Sequence, residues 1–241
     1  MDHYELQVVG ELKEWKRRLT RRSGMMKRIS KKTQIRANQF IPEKVHQLMT
    51  ESIKTMVKAA VTGSIITTKQ HLYHGLSLAE ADELAQKKIG SYQKAGIVEG
   101  AGTGAGGILL GLADFPLLLS IEMKLLFEIA AIYGFDTQKY DERLYILHIF
   151  QLAFASDEVR RETFAIIEDW EARKPLLMDM DWRKFQQEYR DYIDLAKLFQ
   201  LVPGIGAFVG AYANNSILKI LGETAMNAYR LRLLSNLNRL P

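Results

Sequence analysis

The sequence predicts an all-α fold, a single globular bundle of about seven to nine helices. Apolar residues recur every three to four positions along most of the 241-residue chain, which is the period of a helix face. No bounded run of β-branched residues alternates between apolar and polar, as a half-buried strand would. We divide the chain into a basic amphipathic arm at 1–39 and a helical domain at 40–241.

The first quarter of the chain carries its excess positive charge. The apolar residues of the first predicted helix lie on one helical stripe, at Tyr4, Val8, Leu12, Trp15 and Leu19. Residues 1–58 contain 14 Lys/Arg and 6 Asp/Glu, a net charge of +8, whereas residues 59–241 have a net charge of −3. Between Lys13 and Arg36 there are eleven basic residues and one acid.

This basic segment is typical of a helix that lies on an anionic lipid surface. Nucleic acid is a poorer fit, because aromatic residues are not interleaved with the basic ones. A basic helix that is merely solvated and docked on the acidic remainder of the protein is the alternative. The residues expected to contact lipid are Trp15, Arg17, Arg18, Arg21, Arg22, Lys27, Arg28, Lys31 and Lys32.

The next elements follow from caps and helix breakers. Pro42 is expected to begin a second helix, and Gly63 is expected to end it. Ser77 and Glu80 have the spacing of a capping box at the start of a third helix. A fourth helix is capped by Asp114 and runs to Gly134.

The C-terminal third contains similar signals for the start and end of helices. One helix begins at Ser156 or Asp157 and ends before Pro175, and another begins at Asp181. A last apolar helix is predicted from about Ile205 to Leu221. The arginines beyond it are expected in a basic tail, at Arg230, Arg232 and Arg239.

Many of the 17 glycines fall at helical spacing. Glycine at i and i+4 leaves a flat groove on a helix, against which a second backbone can pack closely. We therefore predict two glycine-rich helices packed face to face at the centre of the fold. The packing residues are Gly96, Gly100, Gly102, Gly104, Gly106, Gly107, Gly111, Gly206 and Gly210. The literal G-x-G-x-x-G at 102–107 follows no strand, so a dinucleotide site is not expected.

Composition excludes several classes of site and of location. The chain has no Cys, which removes zinc fingers, iron–sulfur clusters and thiol catalysis. The first ten residues lack the apolar core of a secretory signal, so a cytoplasmic location is expected. The stretch 101–121 is long enough to span a membrane, but Asp114 and Pro116 lie near its middle. We interpret it as two buried helix pieces, with bilayer insertion as the alternative.

Three acids stand in otherwise apolar sequence and are the candidates for ligand binding or acid–base chemistry: Asp114, Glu122 and Glu128. No nucleophile or histidine accompanies them, so no catalytic residue is assigned. His71 and His74 are expected at the surface, and His148 as a partly buried packing residue. No metal or cofactor is expected.

The two glycine blocks resemble the signature of the EcsC family. The first covers 100–136, with GAGTGAGG followed by Leu112-Ala113-Asp114-Phe115-Pro116, and the second begins with VPGIGA at 202–207. This family takes its name from an operon whose other products form an ABC transporter linked to protein secretion. The resemblance implies a bacterial protein of the cytoplasm or the membrane surface. It implies no activity, cofactor or catalytic residue.

The sequence thus predicts a non-enzymatic helical protein at the cytoplasmic face of the membrane. Its expected partners are the anionic lipid surface and a transporter or secretion component. The alternative is a helical enzyme or small-ligand binder that uses carboxylates near the crossing of the glycine-rich helices.

Overall fold

The computed structural model describes residues 1–21, 43–69, 73, 75–104, 115–177, 179–188 and 206–237, with side chains except at 43–53, 97–104, 115–116 and 206–214. Every regular element within these ranges is helical, which confirms the all-α class. The helices are α1 (His3–Thr20), α2 (Glu43–Thr67), α3 (Leu78–Gly104), α4 (Phe115–Ile132), α5 (Tyr140–Phe154), α6 (Asp157–Glu168), α7 (Trp170–Arg173) and α8 (Gly206–Asn236). A 3₁₀ turn, Lys174–Leu176, follows α7, and residues 182–188 are also helical.

Helices α3 and α8 form the most extensive helix–helix contact in the described ranges. Three side-chain contacts fix their direction: Asp82 with Arg230, Ile89 with Gly222, and Gln93 with Asn215. Residue numbers rise along α3 as they fall along α8, so the pair is antiparallel. Helix α4 lies beside α3, also antiparallel, because Tyr133 contacts Asp82 whereas Glu128 contacts Tyr92.

The predicted caps explain where several helices begin and end. Ser77 and Glu80 form the expected capping box: the backbone N–H of Ser77 donates to Glu80 Oε2 over 2.8 Å. Helix α1 has a second capping box, formed by Asp2 and Glu5. Helix α4 stops as predicted at Gly134, whose φ of +83° is the left-handed conformation that glycine adopts readily.

Three predicted boundaries were wrong. Helix α2 passes through Gly63 and continues to Thr67, because the glycine faces open space and its cost in a helix is only about 1 kcal/mol. The helix predicted from Ser156 to Pro175 is interrupted at Asp169 and becomes α6, α7 and the 3₁₀ turn. Helix α8 runs well beyond Leu221, to Asn236.

Helix α1 belongs to the helical body. The predicted stripe is buried at Val8, Leu12 and Trp15, and the Trp15 ring packs edge-on against Phe164 of α6 with centroids 5.5 Å apart. Tyr4 donates a hydrogen bond to Asp82 of α3 over 2.6 Å. The described part of the predicted arm is therefore integrated in the fold, and residues 22–39 lie outside the described ranges.

Candidate functional site

The three candidate acids do not form a common site among the described residues. Asp114 lies outside the described ranges. Glu122 is 1% exposed within α4, and Glu128 lies six residues further along the same helix, about 240° around its axis. The two described carboxylates therefore point in different directions.

Glu128 lies in a half-buried cluster in which two lysines balance its negative charge. Its carboxylate is 2.8 Å from Nζ of Lys88 and 3.5 Å from Nζ of Lys124, and Tyr92 donates a hydrogen bond to it over 3.1 Å. Burial alone would raise the pKa of Glu128, but the two ammonium groups hold it below its usual value. Lys124 also donates to Thr68 Oγ1 over 2.9 Å. This arrangement keeps Glu128 ionised and engaged, which suits a structural tie better than a general acid.

The described cations of the predicted lipid-binding set lie on the outward face of α1 and at its end. Arg17, Arg18 and Arg21 are exposed, as are Lys13 and Lys16. Lys16 pairs with Glu168 of α6, and Arg17 pairs with Glu14 over 2.7 Å. The remaining members of the set lie outside the described residues: Arg22, Lys27, Arg28, Lys31 and Lys32.

Trp15 does not lie on this surface. It is 7% exposed and packed in the interface between α1 and α6. The reason is that the apolar face of an amphipathic helix has the same period whether it meets lipid or a protein core. In this molecule it meets the core, and the outward face of α1 is polar.

The helices that carry the predicted glycine faces are each other's main partners. Gly96, Gly100, Gly102 and Gly104 lie in the second half of α3, and Gly206 and Gly210 lie in the first turns of α8. The antiparallel register, continued along both backbones, brings these ends alongside each other. Close packing of the glycines themselves stays a prediction, and Gly106, Gly107 and Gly111 lie outside the described ranges.

A buried polar network joins four helical elements around Asp82. The Asp82 carboxylate is 1% exposed and pairs with the guanidinium of Arg230, whose Nη2 lies 2.8 Å from Oδ2. It also accepts hydrogen bonds from the hydroxyls of Tyr4 and Tyr133. Arg230 in turn donates to Glu11 of α1 over 3.0 Å.

The electrostatics of this network keep Arg230 charged and the two tyrosine hydroxyls protonated. Burial alone would lower the pKa of Arg230, but its hydrogen bonds with Asp82 and the charge of that carboxylate raise it. Burial, with Asp82 as acceptor, raises the pKa of Tyr4 to about 12 and that of Tyr133 further. Asp82 thus accepts from three side chains at once, which suits a structural role better than that of a base.

A second network surrounds Arg232, which lies two residues after Arg230 on α8, about 200° around the helix axis. Its guanidinium forms a bidentate pair with Glu142 of α5, with both N–O distances 2.6 Å, and donates to Glu171 over 3.0 Å. The carbon of the guanidinium lies 4.3 Å from the ring centre of Phe135 and 4.7 Å from that of Tyr145. Since Glu171 lies in the four-residue α7, this arginine ties α7 to the core.

Sequence reasoning missed both arginines, which it placed in a basic tail. A signal was present: Ala225, Ala228, Tyr229 and Leu231 continue an apolar helical pattern around them. A cation inside such a pattern needs a buried anion. The anions are too distant in sequence to be assigned by spacing, since Asp82 lies 148 residues from Arg230.

A cavity of about 280 Å³ lies at the end of the bundle next to the Asp82 network. Its walls come from the first turn of α1, the turn before α3, and the C-terminal ends of α4 and α8. Tyr133 connects the two features, because it lines the cavity and donates its hydroxyl hydrogen to Asp82.

Two features are absent from the described residues. No group of three or more His, Asp or Glu side chains there is arranged to hold a metal ion. The described helices also include none with the length and apolar character that crossing a membrane requires.

Comparison with known proteins identifies the family of the chain. The chain is 54% identical over 227 residues to Protein EcsC of Bacillus subtilis (strain 168). The aligned region covers 94% of this chain and 95% of that protein. The chain is also 34% identical over 155 residues to the uncharacterized protein YdbA of the same organism, covering 63% and 57% respectively. No solved structure matches it significantly. Residues 6–234 match the model of the EcsC protein family, and the chain belongs to that family.

Proposed function

We propose that this protein is a non-enzymatic helical protein that binds the anionic, cytoplasmic face of the membrane as an accessory to an ABC transporter or secretion system. The observation that supports the membrane contact is the division of α1 into two faces. Its apolar face is buried in the protein, and its outward face carries Lys13, Arg17 and Arg18. The accessory role rests on the operon that gives the EcsC family its name.

The burial of the apolar face changes the expected mode of binding. Because Val8, Leu12 and Trp15 are occupied by the core, α1 has no apolar stripe left to insert between lipids. Attraction is then electrostatic, and each basic residue near an anionic surface contributes roughly 1 kcal/mol. The ion pairs of Lys16 and Arg17 are exposed, and such pairs are weak enough to open when lipid phosphates approach.

Vesicle sedimentation tests this proposal. Joint replacement of Arg17, Arg18 and Arg21 by Gln should weaken binding to phosphatidylglycerol-containing vesicles on the order of a hundredfold. The matched control replaces three exposed lysines elsewhere, Lys87, Lys94 and Lys139, by Gln. It makes the same change in net charge and should leave binding nearly unchanged. Neutralisation is preferable to deleting α1, because deletion would also remove core residues.

Two results would contradict membrane binding by this face: equal binding to phosphatidylcholine vesicles, or equal losses in the two triple variants. A second arm uses vesicles that carry the ABC transporter of the operon. Additional binding to these vesicles, above that of lipid alone, is expected for an accessory protein. Its absence would restrict the function to the lipid surface.

A further inference from the structure

The cavity beside Tyr133 has apolar walls and a small set of polar groups. Seven apolar residues contribute to the walls: Leu76, Leu78, Ala81, Ile132, Leu233, Leu234 and Leu237. The polar side chains are those of Glu5, Tyr73, Ser77 and Tyr133. A few placed polar groups in an apolar enclosure are what small-molecule sites share.

The hydrogen-bonding state of these groups determines what the cavity can bind. The Tyr133 hydroxyl donates its hydrogen to Asp82, and the Ser77 hydroxyl donates its hydrogen to Glu80 over 2.7 Å. Each oxygen can therefore only accept from a ligand. The Glu5 carboxylate, when ionised, is also an acceptor. Three of the four polar side chains thus require a donor.

The charges around the cavity also favour a ligand that donates hydrogen bonds, and in particular a cation. Among the described lining residues Glu5 is the one charged side chain, and none of them is Lys, Arg or His. Helices α4 and α8 both end at the cavity, and a helix C-terminus carries about half a negative charge. The positive N-terminus of α1 is already offset by Asp2 and Glu5. The amino group of Met1, 3.9 Å from Glu5 Oε2, lies outside the lining.

We propose that this cavity binds a small amphiphilic cation, a primary amine with a compact apolar body. The ammonium group would donate to Glu5 and to the hydroxyl oxygens of Tyr133 and Ser77, while the body packs against the leucines. A cavity of about 280 Å³ is at the lower limit for small-molecule sites, about 300 Å³, so the ligand is smaller than a typical drug molecule. An anion of the same size would meet Glu5 and two helix C-termini, and the Tyr73 hydroxyl would be its one side-chain donor among the described lining residues.

Three probes of nearly equal shape test the charge preference: phenethylamine, 2-phenylethanol and phenylacetate. Binding is followed by calorimetry and by NMR shifts of the leucine methyl groups at Leu76, Leu233 and Leu234. Phenethylamine should bind with a dissociation constant of millimolar order, as about nine heavy atoms allow. It should bind at least tenfold more tightly than phenylacetate, with 2-phenylethanol between them.

Glu5→Gln is the decisive variant because glutamine preserves a capping box while removing the charge. It should remove the tenfold preference for phenethylamine and leave the protein folded. Glu83→Gln is the matched control, since it also removes one carboxylate charge, in an exposed pair with Lys87 on α3 and outside the cavity lining. It should leave the preference intact.

The proposal is overturned if none of the probes binds at millimolar concentration, or if phenylacetate binds as tightly as phenethylamine. Equal effects of Glu5→Gln and Glu83→Gln would also overturn it. So would phenethylamine binding that shifts leucines elsewhere in the protein and leaves those of the cavity unchanged. Ala81→Leu, which fills the enclosure from α3, should abolish binding of all three probes.

Discussion

Two regions of the described α3–α8 contact are stabilised by different interactions. At one end Asp82 and Arg230 form a buried ion pair, with tyrosine hydroxyls completing the shell of the carboxylate. Two turns away, Gly222 approaches Ile89 so closely that a Cβ built on the glycine would lie 2.5 Å from Cγ1 of the isoleucine. The first contact depends on the direction of hydrogen bonds between charged groups. The second depends on how closely the two helices approach each other.

The difference shows that register and close approach of the two helices are set by different residues. An ion pair specifies register, because sliding one helix by a single turn, about 5.4 Å, would separate Asp82 from Arg230 and leave both charges buried. A glycine specifies proximity, because it lets a neighbouring backbone approach without regard to register. We expect substitutions in the two regions to lower the free energy of unfolding by different amounts. We also expect the two losses to differ in whether a second substitution can restore stability.

The largest effect is expected at the charged end. Arg230→Met leaves Asp82 buried without its cation and should lower the free energy of unfolding by about 3–5 kcal/mol, measured by denaturant titration. The double variant Asp82→Leu/Arg230→Met should recover much of that loss, because no uncompensated charge remains. Lys219→Met breaks an exposed pair with Glu223 on the same helix and should cost less than about 1 kcal/mol. Equal costs for Arg230→Met and Lys219→Met would contradict this account.

A smaller effect is expected at the close approach. Gly222→Ala forces its methyl group against Ile89, whose β-branched side chain has little rotamer freedom in a helix, and should destabilise by about 1–3 kcal/mol. Gly90→Ala is the control on the facing helix, since nothing lies within 4 Å of its added Cβ. That change should stabilise the protein by about 0.5–1 kcal/mol through helix propensity. Destabilisation by both substitutions would show that packing at Gly222 is not the cause.

The smallest effect concerns acid stability beside the Arg232 network, at His148. Burial lowers the pKa of His148, which lies 5.8 Å from Trp170 between ring centres. In the unfolded chain His148 binds a proton as the pH falls to about 6.5, whereas in the folded protein it stays neutral at that pH. Stability should therefore be unaffected above that pH and fall as the pH drops from about 6.5 towards the folded pKa.

His148→Phe should flatten this dependence between about pH 7 and pH 5, as measured by thermal unfolding at each pH. Hydrogen exchange in the same pH range should show earlier opening of α5 than of the Gly222 region. An unchanged slope in the variant would assign the acid sensitivity to other groups.

Local signals in the sequence predicted most of the helices. The box at Ser77 and Glu80 and the stop at Gly134 depend on residues within a few positions of each other, so spacing alone reveals them. Gly63 was misjudged because an exposed glycine inside a long helix costs little once tertiary contacts hold its neighbours.

The contacts that define the sites are not local, which is why sequence reasoning found few of them. Arg230 and Arg232 resemble surface residues until Asp82 and Glu142 are placed opposite them, and those partners lie 148 and 90 residues away. Gly222 stands outside the i, i+4 glycine pattern, so its close contact had no spacing signal. The orientation of Trp15 could not be deduced because helical period does not distinguish a core from a lipid surface.

The Asp82 network also has a consequence for how the chain folds during synthesis. Asp82 leaves the ribosome long before Arg230, and Glu11 precedes that arginine by 219 residues. A nascent chain that lacks α8 therefore holds a carboxylate in α3 that cannot be buried without penalty, and α1 has one fewer anchor. Contacts between such distant segments form slowly. Assembly of this end of the bundle must wait for the last helix to be translated, and until then the growing chain depends on whatever shields its apolar surfaces.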